Sequence, residues 1–457
     1  MTKSVNLMEG SISKSLIKLA MPIIGTSFMQ MAYNLTDMIW MGRVGAKAVA
    51  AVGTAGFFTW LASAIILIPK IGAEVGVAQS VGRDDLDGAK QYIRHSIQMI
   101  ISLSILYAVF LIVFRKPLIG FFKLGEPKIE RDAAAYLVIT SFGMVAYTIN
   151  PVFTAIFNGF GDSKTPFRIN AIGLVMNMIL DPLLILGLGP FPRLETAGAA
   201  IATVIAQLTV TFVFFLEARK RPELFSGLQL LRKPDSDHLR GIVRLGFPVA
   251  LQSALFTIIA MVIARIIAKW GPVPIAVQKV GSQIESISWM TAGGFQSAMS
   301  AFIGQNYGAK KWDRVYKGYF VGLGIVSVIG IFATLLLIFG ARPIFSIFIP
   351  EEESIRHGVV YLRILGLSQL WMCVEIVTAG AFIGHGKTFP PSFVGILFNA
   401  LRIPGALFLS STSLGLEGIW WAISISSILK GLVLSIWHIR FLRANPETRD
   451  MRFSKAV

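Results

Sequence analysis

Cysteine and charge are both scarce in this chain of 457 residues. Cys373 is the single cysteine, so the chain can form neither an internal disulfide nor a cysteine-based metal site. Charged residues make up only 15% of the sequence, against about 25% in an ordinary soluble domain. The five histidines are scattered, and the sequence contains no metal-ligand cluster and no nucleophilic triad. We therefore expect no catalytic residues, no resident metal and no cofactor.

The chain is rich in hydrophobic residues and in long apolar segments. Hydrophobic residues make up 54% of it and the mean hydropathy is +0.68, which is more than a soluble core can hide. A helix that spans a bilayer needs about 20 mainly apolar residues. The sequence predicts an all-α polytopic membrane protein with twelve transmembrane helices. The predicted helices cover residues 14–42, 48–80, 89–115, 130–158, 165–189, 196–217, 238–269, 274–305, 312–338, 355–383, 390–410 and 418–441.

The net charge of +17 raises the question of a nucleic-acid partner, and its distribution gives the answer. Lysine and arginine concentrate in loops and helix ends on one side of the predicted membrane. Their densest block runs from Arg219 to Arg244. This is the positive-inside pattern of membrane proteins. We therefore expect both termini in the cytoplasm and basic loops against anionic lipid, with no nucleic acid bound.

Internal repetition is the strongest signal of organisation in the sequence. Leu19-Ala20-Met21-Pro22 recurs as Leu245-Gly246-Phe247-Pro248, 226 positions later. Gln79-Ser80-Val81-Gly82 recurs as Gln305-Asn306-Tyr307-Gly308 at the same displacement. Further motifs follow in the same order, so the chain is read as a doubled unit.

The repeat predicts two homologous six-helix lobes, residues 1–217 and 238–457, joined by a cytoplasmic linker, residues 218–237. An even number of helices makes both lobes enter the membrane in the same direction, so the repeats are parallel. Transporters built from parallel repeats bind substrate between their halves and expose it alternately to each side of the membrane. The doubled unit thus favours a transporter.

Two aspartates lie in predicted membrane helices of the first lobe only. An ionisable group in hydrocarbon costs several kcal/mol, at least about 2.5–3.5 on insertion scales. Asp37 falls in the first helix and Asp181 in the fifth, with Asn177 one turn before it. Two carboxyl groups in one small pocket cannot both ionise cheaply, so the pair is a candidate proton site. The alternative is that each caps a helix end or meets a cation, such as Arg43 or Lys47 beside Asp37.

The second lobe contains its own intramembrane acids, Glu285 and Glu375, in the eighth and tenth helices. Basic residues outnumber them there, so structural pairing is one interpretation. The other is that these acids line a cavity that attracts cationic cargo. Further candidates for such a cavity are Met29, Met31, Phe153 and Met290.

Two short motifs point to enzymes. Gly159-Phe160-Gly161-Asp162 matches the G-x-G-D pattern of intramembrane aspartyl proteases. It is followed at once by a turn, Ser163–Pro166, where Asp162 can cap the next helix. Protease activity therefore stays a remote alternative. The stretch Ala381–Thr388 fits the loose P-loop pattern, but it joins two predicted helices rather than following a strand, so the match is accidental.

Several motifs together resemble one transporter family across both halves of the chain. They are Pro22 and Asp37, the run Asn158–Pro166, Asn177-x-x-x-Asp181-Pro182 and the run Gly198–Thr203. The chain resembles the multidrug and toxic compound extrusion (MATE) transporters, of the DinF-like branch.

The resemblance implies a secondary active transporter of the cell membrane that exports amphipathic, often cationic drugs in exchange for H⁺ or Na⁺. H⁺ is the favoured ion, alternating access is the expected mode of transport, and a monomer is the expected state. The resemblance also implies a bend of the first helix at Pro22. It places the ion-coupling pocket at Asp37, Tyr136, Asn150, Asn177, Asp181 and Thr203.

Three alternatives stay open. Sodium coupling through a NorM-type site in the second lobe is disfavoured, because the seventh helix has Arg265 and no acid. A flippase of lipid-linked oligosaccharides would use the basic excess of Arg265, Arg402 and Lys430. A passive channel would make no use of the paired aspartates.

Overall fold

The computed structural model describes residues 5–445, and every regular element within that range is a helix. The two termini, which the sequence places in the cytoplasm, lie outside the described residues. The helices of the first half are α1 (Ile12–Val44), α2 (Ala46–Gly82), α3 (Leu86–Gly120), α4 (Pro127–Phe142), α5 (Met144–Gly159), α6 (Lys164–Leu186), α7 (Glu195–Arg219) and α8 (Pro222–Phe225). Those of the second half are α9 (Ser236–Ile267), which continues as a 3₁₀ turn (Ala268–Trp270), α10 (Pro272–Gly308), α11 (Trp312–Phe339), α12 (Ala341–Ser346), α13 (Glu352–Gly366), α14 (Gln369–Gly384), α15 (Phe389–Ala400), α16 (Arg402–Ser410) and α17 (Leu416–Ala444).

The membrane-spanning helices agree with the predicted polytopic fold. Eight spans in the described chain are long and apolar enough to cross a bilayer, and two bent helix pairs bring the number to 10. Helices α1 and α10, of 33 and 37 residues, are also long enough but less apolar. These twelve elements coincide with the twelve predicted helices to within a few residues at most ends.

Two predicted helices are sharply bent, and a third, predicted as 390–410, is interrupted at Leu401 between α15 and α16. The stretch predicted as 130–158 consists of α4 and α5, which meet at an angle of 51° beside Gly143. The stretch predicted as 355–383 consists of α13 and α14, which meet at 47° just after Gly366. Glycine adds no side-chain packing and weakens a helix, so both bends fall where the helical backbone is easiest to bend.

Close helix packing is repeated at equivalent glycines. A Cβ on Gly159 of α5 would lie 2.6 Å from the carbonyl oxygen of Glu74 in α2. A Cβ on Gly384 of α14 would lie 2.6 Å from the carbonyl oxygen of Ser300 in α10. Small residues allow membrane helices to approach this closely. The same contact at matching positions shows that the sequence repeat is also a structural repeat.

The described chain divides into two compact units. The N-unit contains Gly25–Phe247, and the C-unit contains Asn6–Ile24 together with the chain from Pro248 onward. The chain passes from one unit to the other inside α1, shortly after Pro22, and inside α9, directly before Pro248. The predicted lobe boundaries lie instead in the linker 218–237, which holds the short helix α8.

Each unit has its own apolar core and an apolar outer surface. Phe157 and Phe214 are fully buried in the N-unit, and Phe345 and Trp420 are fully buried in the C-unit. The most apolar stretch of α9 is only 17% buried within the protein. Such helices cannot face water without a large free-energy cost, so their outer faces contact lipid.

Candidate functional site

The N-unit encloses a cavity of about 340 Å³ between α1, α2, α4, α5 and α7, which we call the N-unit cavity. Asp37 lies in its wall. Among the described residues, none of those lining it is Lys, Arg or His. The polar residues of the wall include Gln30, Tyr33, Asp37, Tyr136, Thr203 and Gln207. The cavity is therefore acidic and uncompensated by any basic side chain in its wall.

Asp181 and Asn177 lie on α6 and are not among the residues that line this cavity. Both are 0% exposed. The amide Nδ2 of Asn177 donates a hydrogen bond to Oδ1 of Asp181, 3.0 Å away. The four-residue spacing that placed them on one helix face thus brings the two side chains into contact. Asp37 is close enough for its charge to act on Asp181, so the structure brings the two predicted aspartates together.

Three buried oxygens of this group accept no hydrogen bond in the described structure. They are Oδ1 of Asp37, Oδ2 of Asp181 and Oδ1 of Asn177. Carboxylate and amide oxygens can only accept, and buried acceptors without a partner are costly. A proton or a small cation is one species that would satisfy them.

The basic neighbours of Asp37 in sequence have other partners. Nζ of Lys47 lies 2.6 Å from Oε2 of Glu126. The guanidinium of Arg43 stacks over the ring of Trp40, 4.5 Å from its centroid. Neither aspartate forms an ion pair within the described residues. The interpretation of Asp37 as the partner of a nearby cation therefore receives no support from the geometry.

The remaining predicted coupling residues divide into two kinds. Tyr136 and Thr203 line the N-unit cavity. Asn150 lies behind it, where its Nδ2 donates to the carbonyl oxygen and to Oε1 of Gln207, at 3.0 and 2.9 Å. Thr211 donates its hydroxyl to Oδ1 of Asn150 at 2.8 Å. Asn150 thus acts on the cavity through Gln207, whose side chain it holds in the wall.

Sequence reasoning missed several polar residues of this wall, among them Tyr33, Tyr147 and Gln207. Tyr33 was within reach of prediction, because it precedes Asp37 by four residues and so shares its helix face. Tyr147 and Gln207 belong to α5 and α7, and nothing in their local sequence indicates which face of those helices meets α1.

The C-unit encloses a larger cavity of about 660 Å³, which we call the C-unit cavity. Both Glu285 and Glu375 line it, as do the basic residues Arg402 and Lys430. Nζ of Lys430 lies 3.0 Å from Oε2 of Glu375. Glu375 therefore fulfils both interpretations, since it faces a cavity and is paired.

The other proposed cavity residues are dispersed. Met29 borders a pocket of about 30 Å³ in the N-unit. Phe153 is buried and stacks on Phe214, with ring centroids 5.4 Å apart. Met31 and Met290 are half-buried and line neither of the two large cavities.

The side chain of Asp162, in the protease-like motif, has a structural role. Its Oδ1 accepts from the backbone N–H of Thr165 at 3.1 Å and its Oδ2 accepts from the hydroxyl of Thr165 at 2.7 Å. Its Oδ2 also pairs with Arg221. This is the helix-capping role that the sequence predicts for Asp162 at the start of α6.

Comparison with known families identifies the sequence pattern. A model of the MatE family matches residues 22–183 and again residues 248–408, once in each half of the chain. The chain is similar to "Probable multidrug resistance protein NorM" of Thermotoga maritima, with 27% identity over 419 residues, 90% of this chain and 88% of that protein. It is also similar to an "FAD transporter" of Shewanella oneidensis, with 24% identity over 444 residues, 93% of this chain and 94% of that protein.

Solved structures show the same fold. A crystal structure of MATE in the straight conformation matches with a TM-score of 0.87 and 23% identity, over 96% of this chain and 98% of that one. A MOP superfamily transporter from Pyrococcus furiosus, described as having a binding pocket of reverse polarity, matches with a TM-score of 0.85 and 23% identity, over 96% and 98% of the two chains. At these identities the likeness concerns the fold alone.

Proposed function

The chain belongs to the MatE family, and from this membership we propose that it is a cation-coupled antiporter that exports amphipathic, often cationic compounds across the cell membrane. Membership makes it a transporter rather than an enzyme. The export of drugs is supported by relatives named as multidrug resistance proteins that align over most of both chains.

The observation that carries the coupling proposal is the buried acidic pair of the N-unit. Asp37 lines a cavity with no basic residue among its described lining residues, and it is close enough for its charge to act on Asp181. Three oxygens of Asp37, Asp181 and Asn177 have no hydrogen-bond donor in the described structure. Two charged carboxylates in such a place repel each other. Binding one cation removes much of this cost, which makes the pocket a site for the coupling ion.

A proton is the ion that we favour. A proton needs only one carboxylate oxygen, whereas hard metal ions in proteins are held by several oxygen ligands at once. Oδ2 of Asp181 is fully buried and faces no donor, which suits a protonated carboxyl group. Sodium stays the alternative ion, since Asp37, Asp181, Asn177 and Thr203 together offer several oxygens.

The proposed cycle couples ion and cargo through α1. Proton uptake neutralises the Asp37/Asp181 pocket, and α1 then changes its course at Pro22, where the helix lacks a backbone hydrogen bond. This change lowers the affinity for cargo, which leaves to the outside, and the empty protein returns by alternating access. Reciprocity requires that bound cargo weakens proton binding to the same extent.

A second cargo class is favoured by one observation, the presence of Arg402 and Lys430 in the C-unit cavity. Basic groups in a cavity suit anionic cargo such as lipid-linked oligosaccharides. Lys430 is already paired with Glu375, however, which leaves Arg402 as the only unneutralised base among the described residues lining the cavity. A flippase is therefore the weaker candidate.

The test is transport in proteoliposomes under ion gradients that are imposed separately. Purified protein is reconstituted, and ethidium movement is followed by fluorescence with a pH gradient alone, a sodium gradient alone or neither. We expect ethidium to move against its gradient only when the pH gradient is present. Movement driven only by the sodium gradient would identify sodium as the coupling ion. Equal movement without a gradient would contradict the proposal of an antiporter.

A further inference from the structure

The C-unit cavity has the dimensions of a ligand site in its own right. Its volume of about 660 Å³ lies within the range of small-molecule pockets, roughly 300–1,000 Å³. The wall combines the rings of Phe256 and Trp289 with several polar side chains. Mixed walls of this kind bind the body of an amphiphile and fix its orientation through a few polar contacts.

Polar atoms with no partner point to a ligand there. Among the lining residues, Gln369 is 1% exposed and its Oε1 accepts no hydrogen bond. Asn399 is 3% exposed and its Oδ1 is likewise unpartnered. Oε1 of Glu285 is buried without a donor as well. Oε1 of Gln278, another lining residue, has no partner either, so four acceptors in one cavity wall lack the donors that buried oxygens normally have.

Among the described residues, four charged ones line the cavity: two form an ion pair with each other, and the other two are not in an ion pair. Glu375 and Lys430 neutralise each other at 3.0 Å. Arg402 contacts no carboxylate within 4.0 Å; its Nε and Nη2 donate to the hydroxyls of Ser426 and Ser427 at 2.6 and 3.0 Å. A guanidinium has five N–H donors, so further donors stay available on Arg402. Glu285 on α10 carries the remaining negative charge.

We propose that the C-unit cavity is a binding site for zwitterionic amphiphiles, in which Arg402 binds the ligand's carboxylate and Glu285 binds its cationic group. Arg402 lies near the ring of Phe256, at 6.0 Å from the centroid, so the carboxylate site adjoins an aromatic wall. Because the lining charges sum to zero, a ligand with a net charge would bring an uncompensated charge into the site. A zwitterion brings no net charge, and each of its two charged ends meets a group of opposite sign.

This assignment distinguishes the two cavities by charge. The N-unit cavity has one acid, Asp37, and no base among its described lining residues, which suits a lone cation. The C-unit cavity has one charged group of each sign besides the Lys430–Glu375 pair. The proposal concerns binding alone and does not depend on which ion drives transport.

The test uses two dyes with the same ring system. Rhodamine B is a zwitterion at neutral pH, and its ethyl ester is a cation that lacks only the free carboxylate. Binding of each dye to the purified protein in nanodiscs is measured by fluorescence polarisation, with no ion gradient present. We expect rhodamine B to bind at least tenfold more tightly to the wild type than to an Arg402→Gln variant, while the affinity for the ester changes less than twofold.

Two further variants keep the test falsifiable. Arg402→Lys retains the positive charge and should recover most of the affinity for rhodamine B. Arg265→Gln removes an exposed arginine of the C-unit that does not line the cavity and should change neither affinity. Equal losses for both dyes in Arg402→Gln, no loss for rhodamine B, or the same loss in Arg265→Gln would overturn the proposal. The binding test and the export test can fail independently. Rhodamine B could bind elsewhere while ethidium export stays pH-driven, and export could lack pH dependence while rhodamine B binds at Arg402.

Discussion

At the scale of single residues, the hydrogen bond from Asn177 to Asp181 suggests two different roles. Asn177 positions the carboxyl group, and Asp181 is the residue proposed to bind the ion. Asn177 is neutral and cannot carry a proton itself, yet its amide is the only hydrogen-bond donor within the described structure that reaches the Asp181 carboxyl group. A hydrogen bond to a charged group contributes about 1.5–3 kcal/mol. In the proposed mechanism, Asn177 therefore affects how readily Asp181 exchanges its ion.

We predict that Asn177→Ala lowers pH-driven ethidium export by about tenfold or more, in line with the loss of one such bond. The control is Asn170→Ala on the same helix, whose amide donates to the carbonyl oxygen of Pro166 at 2.7 Å and lies outside the coupling group. Initial rates in proteoliposomes, at matched protein amounts, measure both. Equal losses in the two variants would mean that α6 is merely sensitive to any lost amide.

The ion pair between Lys430 and Glu375 permits a second test at this scale. Removing one partner of a buried pair leaves an uncompensated charge and costs about 3–5 kcal/mol, whereas removing both can be nearly neutral. We predict that Lys430→Met lowers the thermal unfolding temperature clearly, and that the double variant Lys430→Met with Glu375→Met recovers most of the loss. Unfolding in detergent, followed by intrinsic fluorescence, measures this. Additive losses in the double variant would contradict the pairing.

At the scale of elements, the close contact of α9 with α2 depends on Gly246. A Cβ there would lie 2.3 Å from the carbonyl oxygen of Ile68. Backbone atoms cannot move aside as a flexible side chain can. Gly241, five residues earlier on the same helix, has no atom within 4 Å of the position where its Cβ would be.

We predict that Gly246→Ala destabilises the protein by about 1–3 kcal/mol through overpacking. Gly241→Ala should leave stability unchanged or raise it by about 0.5–1 kcal/mol, because alanine favours the helix. Thermal unfolding of the two variants side by side measures the difference. A Gly246→Ala protein as stable as Gly241→Ala would show that α9 can move away from α2 without cost.

The helices themselves could be predicted well from sequence, but their breaks could not. Hydropathy over about 20 residues is a local property, so each span could be located from its own residues. The bends beside Gly143 and Gly366 depend on what packs against these positions. Val204 of α7 occupies the space that a Cβ on Gly143 would need, at 2.6 Å. That contact is between distant parts of the chain.

At the scale of the whole molecule, the duplicated halves differ in the residues at equivalent positions. Ile263, the residue 226 positions after Asp37, lines the C-unit cavity. The place of Asp181 is taken by Ile403, while Asn399 keeps the place of Asn177. Each unit thus has a cavity, and only the N-unit has the paired aspartates.

The contents of the two cavities were harder to predict than their acids. A charge in a membrane helix is rare, which made Asp37, Asp181, Glu285 and Glu375 visible without a structure. Tyrosine and glutamine are common at helix surfaces, so Tyr147 and Gln207 gave no such signal. The DinF-like branch also stays a prediction, as do the coupling ion and the cytoplasmic position of the termini.

The most direct measurement of the central claim is pH-driven export by variants of the acidic pair. Asp37→Asn and Asp181→Asn are reconstituted beside wild type and beside Asp84→Asn, which removes a carboxylate from an exposed turn. We predict that both pocket variants lose at least about nine-tenths of gradient-driven ethidium export while they still bind ethidium, and that Asp84→Asn matches the wild type. An Asp37→Asn protein that exported ethidium at the wild-type rate under a pH gradient would contradict the account.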